Sequence, residues 1–314
     1  MPTVACADAA VPAVPAALGY RGRFAPTPSG PLHAGSLVAA LASYLDARVH
    51  GGRWLLRIED VDDGRSAAGA DAAILTVLRD LGMHWDGPVL RQSQRTPIYE
   101  AAAAHLAPHS YPCGCNRREV ADSRLGVGPD GAAIYPGTCR AGLAPGRGMR
   151  SLRLRVPEAG DPAEQVTFID RFAGPTAQHL AAASGDFVLR RADGYWSYQL
   201  AVVVDDGAQG VTDVVRGADL LDSTPRQIHL QRLLGLPTPR YLHLPVLRHD
   251  NGEKLSKQTG APAVAPGDAD GALRALLQAA DFLELAPGRP ASLAAFWDAA
   301  VPAWAALLAR RARA

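Results

Sequence analysis

Hydrophobic positions along the first third of the chain alternate between short buried runs and helical spacings. Residues 20–25 form a strand-like run, a loop rich in Pro and Gly follows, and helical spacing continues over 35–48. A second buried strand is predicted over 54–58, and helices are predicted over 70–81 and 97–106. Because strands alternate with helices, this region predicts a parallel α/β sheet.

The pattern changes between about 110 and 150, where Gly, Pro, Cys and Arg are frequent and hydrophobic residues follow no clear period. We interpret this stretch as an insertion. Strand patterns resume over 152–156, 166–170 and 187–190. The run 197–205 contains three consecutive valines and is predicted to be another buried strand.

Three helices are predicted toward the end of the chain. The first covers 225–234, with Ser223 or Thr224 as its cap, and two Ala-rich helices cover 271–280 and 293–311.

The composition excludes several classes of protein. The 314 residues are 48% hydrophobic and 20% charged, which excludes intrinsic disorder. No apolar run reaches the roughly 18 residues of a spanning helix, and the opening stretch lacks the positive charge of a secretory signal. The net charge of +1 provides no global field for nucleic acid, so any RNA contact must be local.

Lysine is rare in this chain, because 30 of the 32 basic residues are arginines. The only two lysines, Lys254 and Lys257, lie in the run Glu253-Lys254-Leu255-Ser256-Lys257-Gln258, between Gly252 and Gly260. This usage indicates a chemistry that needs a compact ammonium group, such as neutralising charge on a transferring phosphate. Chance placement on a solvated loop is the alternative.

A second string runs from Pro26 to Ser36, about 220 residues before the lysines, and leads into the first predicted helix. Gly35 lets a ligand approach the helix start, where free N–H groups attract phosphate, and the His33 imidazole is placed to donate to phosphate oxygens. A capped helix start with a solvated histidine is the simpler alternative. Together the two strings predict a nucleotide site.

The two strings resemble the HIGH and KMSKS signatures of class I aminoacyl-tRNA synthetases. The flanking segments resemble the glutamyl branch of that family, and the likeness spans roughly residues 20 to 262. These segments are Arg23 to Thr27, Arg57-Ile58-Glu59-Asp60, Tyr198 to Ala201, Val202 to Asp206, Val215 to Leu221, and Thr224 to Gln227.

The resemblance implies an ATP-dependent ligase that activates L-glutamate, with Mg²⁺ accompanying ATP. It places His33 and Lys257 as catalytic residues. The implied glutamate-binding residues are Arg23, Phe24, Ala25, Pro26, Thr27, Glu59, Tyr198 and Arg216, and the implied ATP-binding residues are His33, Gly35, Ser36, Lys254, Ser256 and Lys257.

Glutamate carries two carboxylates and one ammonium group, and the implied residues match these charges. Arg23 and Arg216 are expected to bind carboxylates, Glu59 the ammonium group, and Tyr198 to make a hydroxyl contact. Two positions depart from the wider family pattern: Ser36 replaces a second histidine, and Gln258 stands where a serine is usual. More of the phosphate contact therefore falls to His33 and to backbone groups.

Three of the four cysteines, Cys113, Cys115 and Cys139, lie within 27 positions. Three thiolates with a fourth donor make a tetrahedral structural Zn²⁺ site, which suits an insertion rich in Gly and Pro. From chemistry alone the fourth ligand is open among His105, His109 and Tyr135, and the family resemblance favours Tyr135. Unligated thiols or a disulfide are the alternatives, and Cys6 matches nothing.

The insertion is also rich in arginine. A local positive bias arises from Arg117, Arg118, Arg124, Arg140, Arg147, Arg150, Arg153 and Arg155. These side chains are expected either to contact RNA phosphates or to form a solvated basic face.

The fold expected from the resemblance is a Rossmann-type parallel sheet with an inserted zinc-binding subdomain and a short helical C-terminal segment. The expected units are a flexible tail (1–19), the first half of the nucleotide-binding core (20–107), the insertion with the zinc site (108–186), the second half of the core ending in the lysine loop (187–260), and a helical segment (261–314).

Only about 55 residues follow the lysine loop, too few for a separate anticodon-reading domain. Within the glutamyl branch, this favours the short members that attach glutamate to the queuosine base of tRNA(Asp). The expected partners are ATP, L-glutamate and queuosine-containing tRNA(Asp), for a cytoplasmic monomer without membrane contact. The alternatives are a glutamyl-tRNA synthetase fragment charging the tRNA 3′ end, a small-molecule nucleotidyltransferase and a non-catalytic RNA-binding paralogue.

Overall fold

The computed structural model describes residues 19–246, 263–265 and 267–311. Its strands are β1 (Arg21–Phe24), β2 (Arg53–Ile58), β3 (Leu90–Arg91), β4 (Ser110–Cys113), β5 (Ser151–Leu154), β6 (Gln165–Asp170), β7 (Gly174–His179), β8 (Phe187–Arg190), β9 (Asp213–Gly217) and β10 (Arg240–Leu244). Its α-helices are α1 (Ala34–Val49), α2 (Ala70–Asp80), α3 (Thr96–His105), α4 (Arg117–Ser123), α5 (Leu180–Ala183), α6 (Tyr198–Gln209), α7 (Thr224–Leu233), α8 (Ala269–Phe282) and α9 (Leu293–Arg311).

Two sheets form the centre of the molecule. One has the parallel order β1-β2-β3, and the other has the order β7-β6-β10-β9, in which β10 is parallel to both β9 and β6. Strand β1 runs beside β9, where the Thr212 amide donates to the Arg21 carbonyl at 2.9 Å. The predicted parallel α/β sheet is therefore confirmed.

The segment 197–205 was predicted as a strand, and this prediction is wrong because the segment lies in helix α6. The Ser197 hydroxyl accepts a hydrogen bond from the Leu200 amide at 3.4 Å, and Gly210 ends the helix with a φ of 64°. The helix is buried along most of its length, so its hydrophobic residues are consecutive and do not recur at helical spacing. A short apolar run of this kind does not distinguish a buried strand from a buried helix.

The expected side-chain cap of helix α7 is also wrong. Ser223 is the N-cap residue but makes no capping hydrogen bond, and Thr224 is already helical. The Thr224 hydroxyl instead accepts a hydrogen bond from the Arg216 guanidinium at 2.9 Å. The threonine therefore contributes to a cluster around Arg216 rather than to the helix end.

Strands β4 and β5 of the insertion form an antiparallel sheet with β8, in the order β4-β5-β8, whereas β6 and β7 join the central sheet. Helix α4 begins with a capping box, in which the Asn116 side chain accepts from the Glu119 amide and Glu119 accepts from the Asn116 amide. A small buried cluster of Tyr111, Cys113, Tyr135 and Cys139 lies beside this sheet.

Helix α1 is the centre of the main hydrophobic core, and α8 and α9 pack against it. Asp46 of α1 is fully buried and accepts hydrogen bonds from the Tyr20 hydroxyl at 2.5 Å, from both terminal nitrogens of Arg171 at 2.6 and 2.8 Å, and from the Trp304 indole at 3.1 Å. Four separate segments therefore meet at one carboxylate. Within the part of the chain that the structure describes, no helix is both long and apolar enough to cross a bilayer.

Candidate active site

A cavity of about 490 Å³ opens at the carboxyl ends of β1, β2 and β9. Such ends are where α/β sheets bind ligands. The cavity brings together the predicted site residues Arg23, Phe24, Ala25, Pro26, Thr27, His33, Gly35, Ser36, Glu59, Tyr198 and Arg216. The predicted ATP-binding residues Lys254, Ser256 and Lys257 lie outside the described residues.

The buried end of the cavity holds a network of charges. The Arg23 Nε lies 3.1 Å from Asp206 Oδ1, and the Arg57 Nη1 lies 2.7 Å from the same oxygen. The other terminal nitrogen of Arg57 lies 3.4 Å from Glu59. Because Arg57 is fully buried, both of its acidic partners compensate for the water it has lost.

Asp206 and the structural role of Arg57 are absent from the sequence prediction, although both residues occur in the segments that carry the family resemblance. One signal was available, because Arg57 interrupts the apolar run of β2. A charged residue inside a buried strand requires a partner.

The network shifts the pKa values of its acids in opposite directions. Burial raises the pKa of Asp206, but the Arg23 and Arg57 guanidinium groups outweigh it, and the pKa lies below its usual range. Burial also raises the pKa of Glu59, and there the attraction of Arg57 and Arg23 does not compensate. A cation placed beside Glu59 would therefore stabilise the ionised form of its carboxyl group and lower its pKa.

Arg216, which also lines the cavity, is held by four hydrogen bonds. Its Nε donates to His243 Nε2 at 3.0 Å, its Nη1 donates to the Tyr198 hydroxyl at 3.2 Å, and its Nη2 donates to Thr224 Oγ1 at 2.9 Å and to the Leu220 carbonyl at 3.4 Å. A guanidinium has five N–H groups. Among the described residues, one N–H of Nη1 is therefore left for a ligand.

The Tyr198 hydroxyl complements this N–H. It accepts from the Arg216 guanidinium at 3.2 Å. A phenol oxygen that accepts a hydrogen bond still has its own proton to donate, so the hydroxyl can donate to a ligand in the cavity. Arg216 and Tyr198 together form a pair of donors suited to one carboxylate.

His33 is the N-cap of α1, as the sequence predicted for a helix start. Its Nδ1 accepts from the Ser36 amide at 3.3 Å, and its Nε2 lies 2.9 Å from the Ser36 hydroxyl. In the neutral imidazole Nδ1 is therefore the acceptor and Nε2 carries the proton. This N–H is directed at the Ser36 hydroxyl.

The chain returns to this helix start after the lysine run. Ala263 forms an isolated bridge with His33, and the Val264 amide donates to the Leu32 carbonyl at 2.7 Å. Val246, the last described residue before the run, lines the cavity. Both described ends of the segment that carries the lysines therefore border the site.

A second cluster lies in the insertion. The sulfur atoms of Cys113, Cys115 and Cys139 all lie within 4.8 Å of one another. The Tyr135 hydroxyl lies 3.3 Å from both Cys113 and Cys115. Four ligands about 2.3 Å from Zn²⁺ in a tetrahedron are separated by about 3.8 Å, so these donors fit the ion. His105 and His109 are exposed and lie outside the cluster.

The environment of the cluster favours ionisation of Cys113 and opposes that of Cys115 and Tyr135. Burial opposes ionisation of Cys113, but hydrogen bonds with Tyr135 and the Cys115 amide outweigh it and lower the pKa of Cys113 to about 7. Burial raises the pKa of Cys115 to about 11, and burial and hydrogen bonds with the cysteines also raise the pKa of Tyr135. Ionisation of these two donors therefore requires the positive charge of a bound metal ion.

Most of the insertion's arginines are engaged within the protein. Arg140 pairs with buried Asp186, Arg147 with Glu119 and Arg118 with Asp122, while Arg153 and Arg155 lie over tyrosine rings. Arg117, Arg124 and Arg150 are exposed and form no ion pair within the described ranges. The basic face is therefore smaller than the sequence suggested.

Comparisons with known proteins agree with this geometry. Residues 20–279 match the family model for tRNA synthetases class I (E and Q), catalytic domain. The chain is 63% identical to the glutamyl-Q tRNA(Asp) synthetase of Verminephrobacter eiseniae, covering 91% of this chain and 97% of that protein. It is 60% identical to the protein of the same name from a Janthinobacterium species, again over 91% of this chain and 97% of the relative.

The fold agrees with a solved structure. The glutamate tRNA ligase of Elizabethkingia meningosepticum, in complex with its amino acid, superposes with a TM-score of 0.65 at 28% identity, over 77% of this chain. The present chain spans about half of that enzyme, 52% of its length. The chain thus belongs to the class I tRNA synthetase family for glutamate and glutamine, whose members include the glutamyl-Q tRNA(Asp) synthetases.

Proposed function

We propose that this protein activates L-glutamate with ATP and transfers it to the queuosine base of tRNA(Asp). The relatives that are 60–63% identical over nine-tenths of the chain carry this activity in their names. The observation that carries the proposal is the cavity in which Arg23, Glu59 and Arg216 share one buried end beside the helix start that bears His33.

The charges at the buried end suit glutamate. The lining residues Arg23 and Arg216, with Arg57 behind them, supply three positive charges, and Glu59 with Asp206 behind it supplies two negative charges; Asp219 also lines the cavity but is exposed. The sum of +1 balances the single net negative charge of glutamate. Glutamine is neutral and would leave a buried positive charge without compensation, which is costly.

Each end of glutamate has a defined partner in this proposal. The donor pair of Arg216 and Tyr198 binds one carboxylate, and Arg23 binds the other. Glu59 binds the ammonium group, which lowers the pKa of that carboxyl from its raised value. Phe24, Ala25, Pro26 and Thr27 form the wall between these charges.

ATP is assigned to the outer part of the cavity. His33, Gly35 and Ser36 at the start of α1 would contact its phosphates, where the helix N-terminus favours anions. Lys254, Ser256 and Lys257 would contact them from the other side. Ala263, six residues after Lys257 in the sequence, lies beside His33, and this supports the assignment.

The first reaction is an in-line displacement at phosphorus. A carboxylate oxygen of glutamate attacks the α-phosphate of ATP, the bond to the bridging oxygen breaks, and pyrophosphate leaves with the electron pair. No protein nucleophile takes part, so the chain contributes alignment and charge stabilisation. His33 and Lys257 stabilise negative charge as it develops, and Mg²⁺ enters with ATP.

In the second reaction a hydroxyl oxygen of the queuosine base attacks the acyl carbon of glutamyl-adenylate. An ester bond forms, AMP leaves, and the hydroxyl proton passes to the released phosphate or to water. The RNA substrate enters at the open side of the cavity, and the exposed Arg117, Arg124 and Arg150 are assigned to its backbone.

The insertion is proposed to hold one structural Zn²⁺ through Cys113, Cys115, Cys139 and Tyr135. The ion would order a segment with only a small hydrophobic cluster of its own. In the proposed organisation the core halves 20–107 and 187–260 form the catalytic unit together with β6 and β7, the rest of 108–186 is the insertion, 261–314 is the helical segment and 1–19 precede the core.

Two measurements test the proposal. Glutamate-dependent ATP–pyrophosphate exchange, absent with glutamine, tests activation. Transfer of labelled glutamate to tRNA(Asp) with and without queuosine tests the acceptor, with tRNA(Glu) as control. Label on tRNA(Glu), or transfer independent of queuosine, would instead indicate a synthetase that charges the 3′ end.

A further inference from the structure

A row of three buried polar side chains crosses the sheet behind the glutamate site. Arg216 on β9 is paired in register with His243 on β10, and Asp170 stands at the end of β6 next to β10. Asp170 Oδ2 lies 2.7 Å from His243 Nδ1, and His243 Nε2 accepts from the Arg216 Nε at 3.0 Å. All three side chains are buried.

The hydrogen bonds fix which ring nitrogen of His243 carries the proton. Arg216 Nε is only a donor, so His243 Nε2 must be unprotonated and Nδ1 must donate to Asp170. The ring is neutral, because burial and the charge of Arg216 lower the pKa of His243 more than Asp170 raises it. The charged or titratable groups around the ring are Asp170, Arg216, Arg23 and Tyr241.

Asp170 is itself held in one orientation. Its Oδ1 accepts from the amides of Phe172 at 2.9 Å and Ala173 at 2.8 Å, which leaves Oδ2 facing the histidine ring. The His243 amide also donates to this carboxylate at 3.1 Å. Every neighbour of Asp170 in this group is therefore a donor, and the carboxylate needs to accept with both oxygens.

We propose that Asp170 and His243 are positioning residues that orient Arg216 for the glutamate carboxylate. Asp170 selects the Nδ1-protonated ring, and that ring offers its Nε2 lone pair to Arg216. The guanidinium is then fixed on its Nε side, and its remaining Nη1 N–H is directed toward the ligand beside Tyr198. This inference rests on the proposed glutamate site.

The substitution Asp170→Asn tests the arrangement sharply. The backbone amides of Phe172 and Ala173 keep the remaining oxygen, so the new NH₂ group faces His243 Nδ1 and donates to it. The proton then moves to Nε2, where it opposes the Arg216 N–H and faces the Thr224 hydroxyl at 3.2 Å. We expect the KM for glutamate to rise by about tenfold, the loss of one oriented charged hydrogen bond, with kcat and the KM for ATP within twofold of wild type.

Two controls separate positioning from general damage. Asp186→Asn alters a fully buried aspartate in the insertion that likewise accepts from a backbone amide, that of Val156, and from side chains. It is expected to lower the melting temperature without changing the KM for glutamate. His243→Gln keeps an oxygen acceptor at the ε position, so Asp170→Asn in that background should change the KM for glutamate by less than twofold.

A direct readout needs neither substrate nor variant activity. Nitrogen NMR of the wild-type chain, with the signal assigned by loss in His243→Gln, should show the proton on Nδ1 and not on Nε2. A proton on Nε2 would overturn the proposal, as would equal rises in the KM values for glutamate and ATP in Asp170→Asn. If the chain failed to activate glutamate at all, the proposed function would fall while the NMR result stood by itself.

Discussion

Asp206 offers the strongest test of the charge network at the glutamate site. The substitution Asp206→Asn keeps the size of the side chain but removes the charge that Arg23 and Arg57 share at 3.1 and 2.7 Å. The net charge of the buried end rises from +1 to +2. The fully buried Arg57 then keeps the neutral Gln209 amide oxygen at 2.8 Å, and among the described residues Glu59 at 3.4 Å is its one remaining ion-pair partner.

The size of the effect follows from these contacts. Removing one partner of a buried ion pair costs about 3–5 kcal/mol of unfolding free energy, and the remaining amide oxygen favours the lower figure. With about 2.1 cal/mol/K of unfolding entropy per residue over 314 residues, a loss of about 3 kcal/mol lowers the melting temperature by about 5 °C. Arg23 also loses the acceptor that orients it, so we expect the KM for glutamate to rise by about tenfold, or about 1.4 kcal/mol.

The neighbouring residue supplies a matched control. Asp205 is on the same helix and is fully buried, but it accepts from Arg95, from Gln92 at 2.9 Å and from Tyr99 at 2.7 Å, and none of these partners lines the cavity, whereas Asp206 pairs with the lining residue Arg23. Asp205→Asn should lower the melting temperature by a similar amount and leave the KM for glutamate unchanged.

The assay combines thermal unfolding with ATP–pyrophosphate exchange over a range of glutamate concentrations. Equal changes in the KM for glutamate in the two variants would refute the reasoning, because they would show that the effect comes from loss of stability alone. An Asp206→Asn protein with wild-type stability and wild-type KM would refute the assigned ion pairs.

Three further predictions follow from the two sites and the buried acids. Lys257→Ala should slow adenylate formation at least tenfold, the loss of one charged contact to the phosphates, with an unchanged melting temperature; a wild-type exchange rate would contradict the proposed role. Cys113→Ser should lower the zinc content measured by plasma mass spectrometry and increase proteolysis of the insertion, whereas Cys6→Ser should do neither. Burial raises the pKa of Asp170, but hydrogen bonds from His243 and two amides lower it to about 2, below the unfolded value near 3.9. Its contribution to unfolding free energy is therefore complete above about pH 5 and is lost toward pH 2. Between about pH 5 and pH 2 the unfolding free energy of Asp170→Asn, measured by denaturant titration, should therefore fall less than that of the wild type.

The loop before α1, the end of β2 and the cysteine cluster were predictable from the sequence because each has strong local signals. The Pro- and Gly-rich string before α1, the apolar run of β2 and the closely spaced cysteines each depend on neighbours in the chain. The structure places these residues where the patterns indicated, with Glu59 directly after β2 and Cys113, Cys115 and Cys139 in one cluster.

The parts that were missed depend on contacts between distant segments. Strands β9 and β10 are short and carry Asp213, Arg216, Arg240 and His243, so they lack a strand-like hydrophobic pattern. The importance of His243 arises only from its register beside Arg216. The arginines of the insertion similarly look like a solvated surface until their partners in the fold are known.

The buried carboxylate of Asp46 connects helix α9 to helix α1. Trp304 of α9 donates to this acid in the last turn of α1, a helix whose N-cap is His33. Removing α9 would open the acid and the space around Trp304 to water and would loosen the helix whose start is proposed to bind phosphate. Helix α9 thus supports the proposed nucleotide site without lining the cavity.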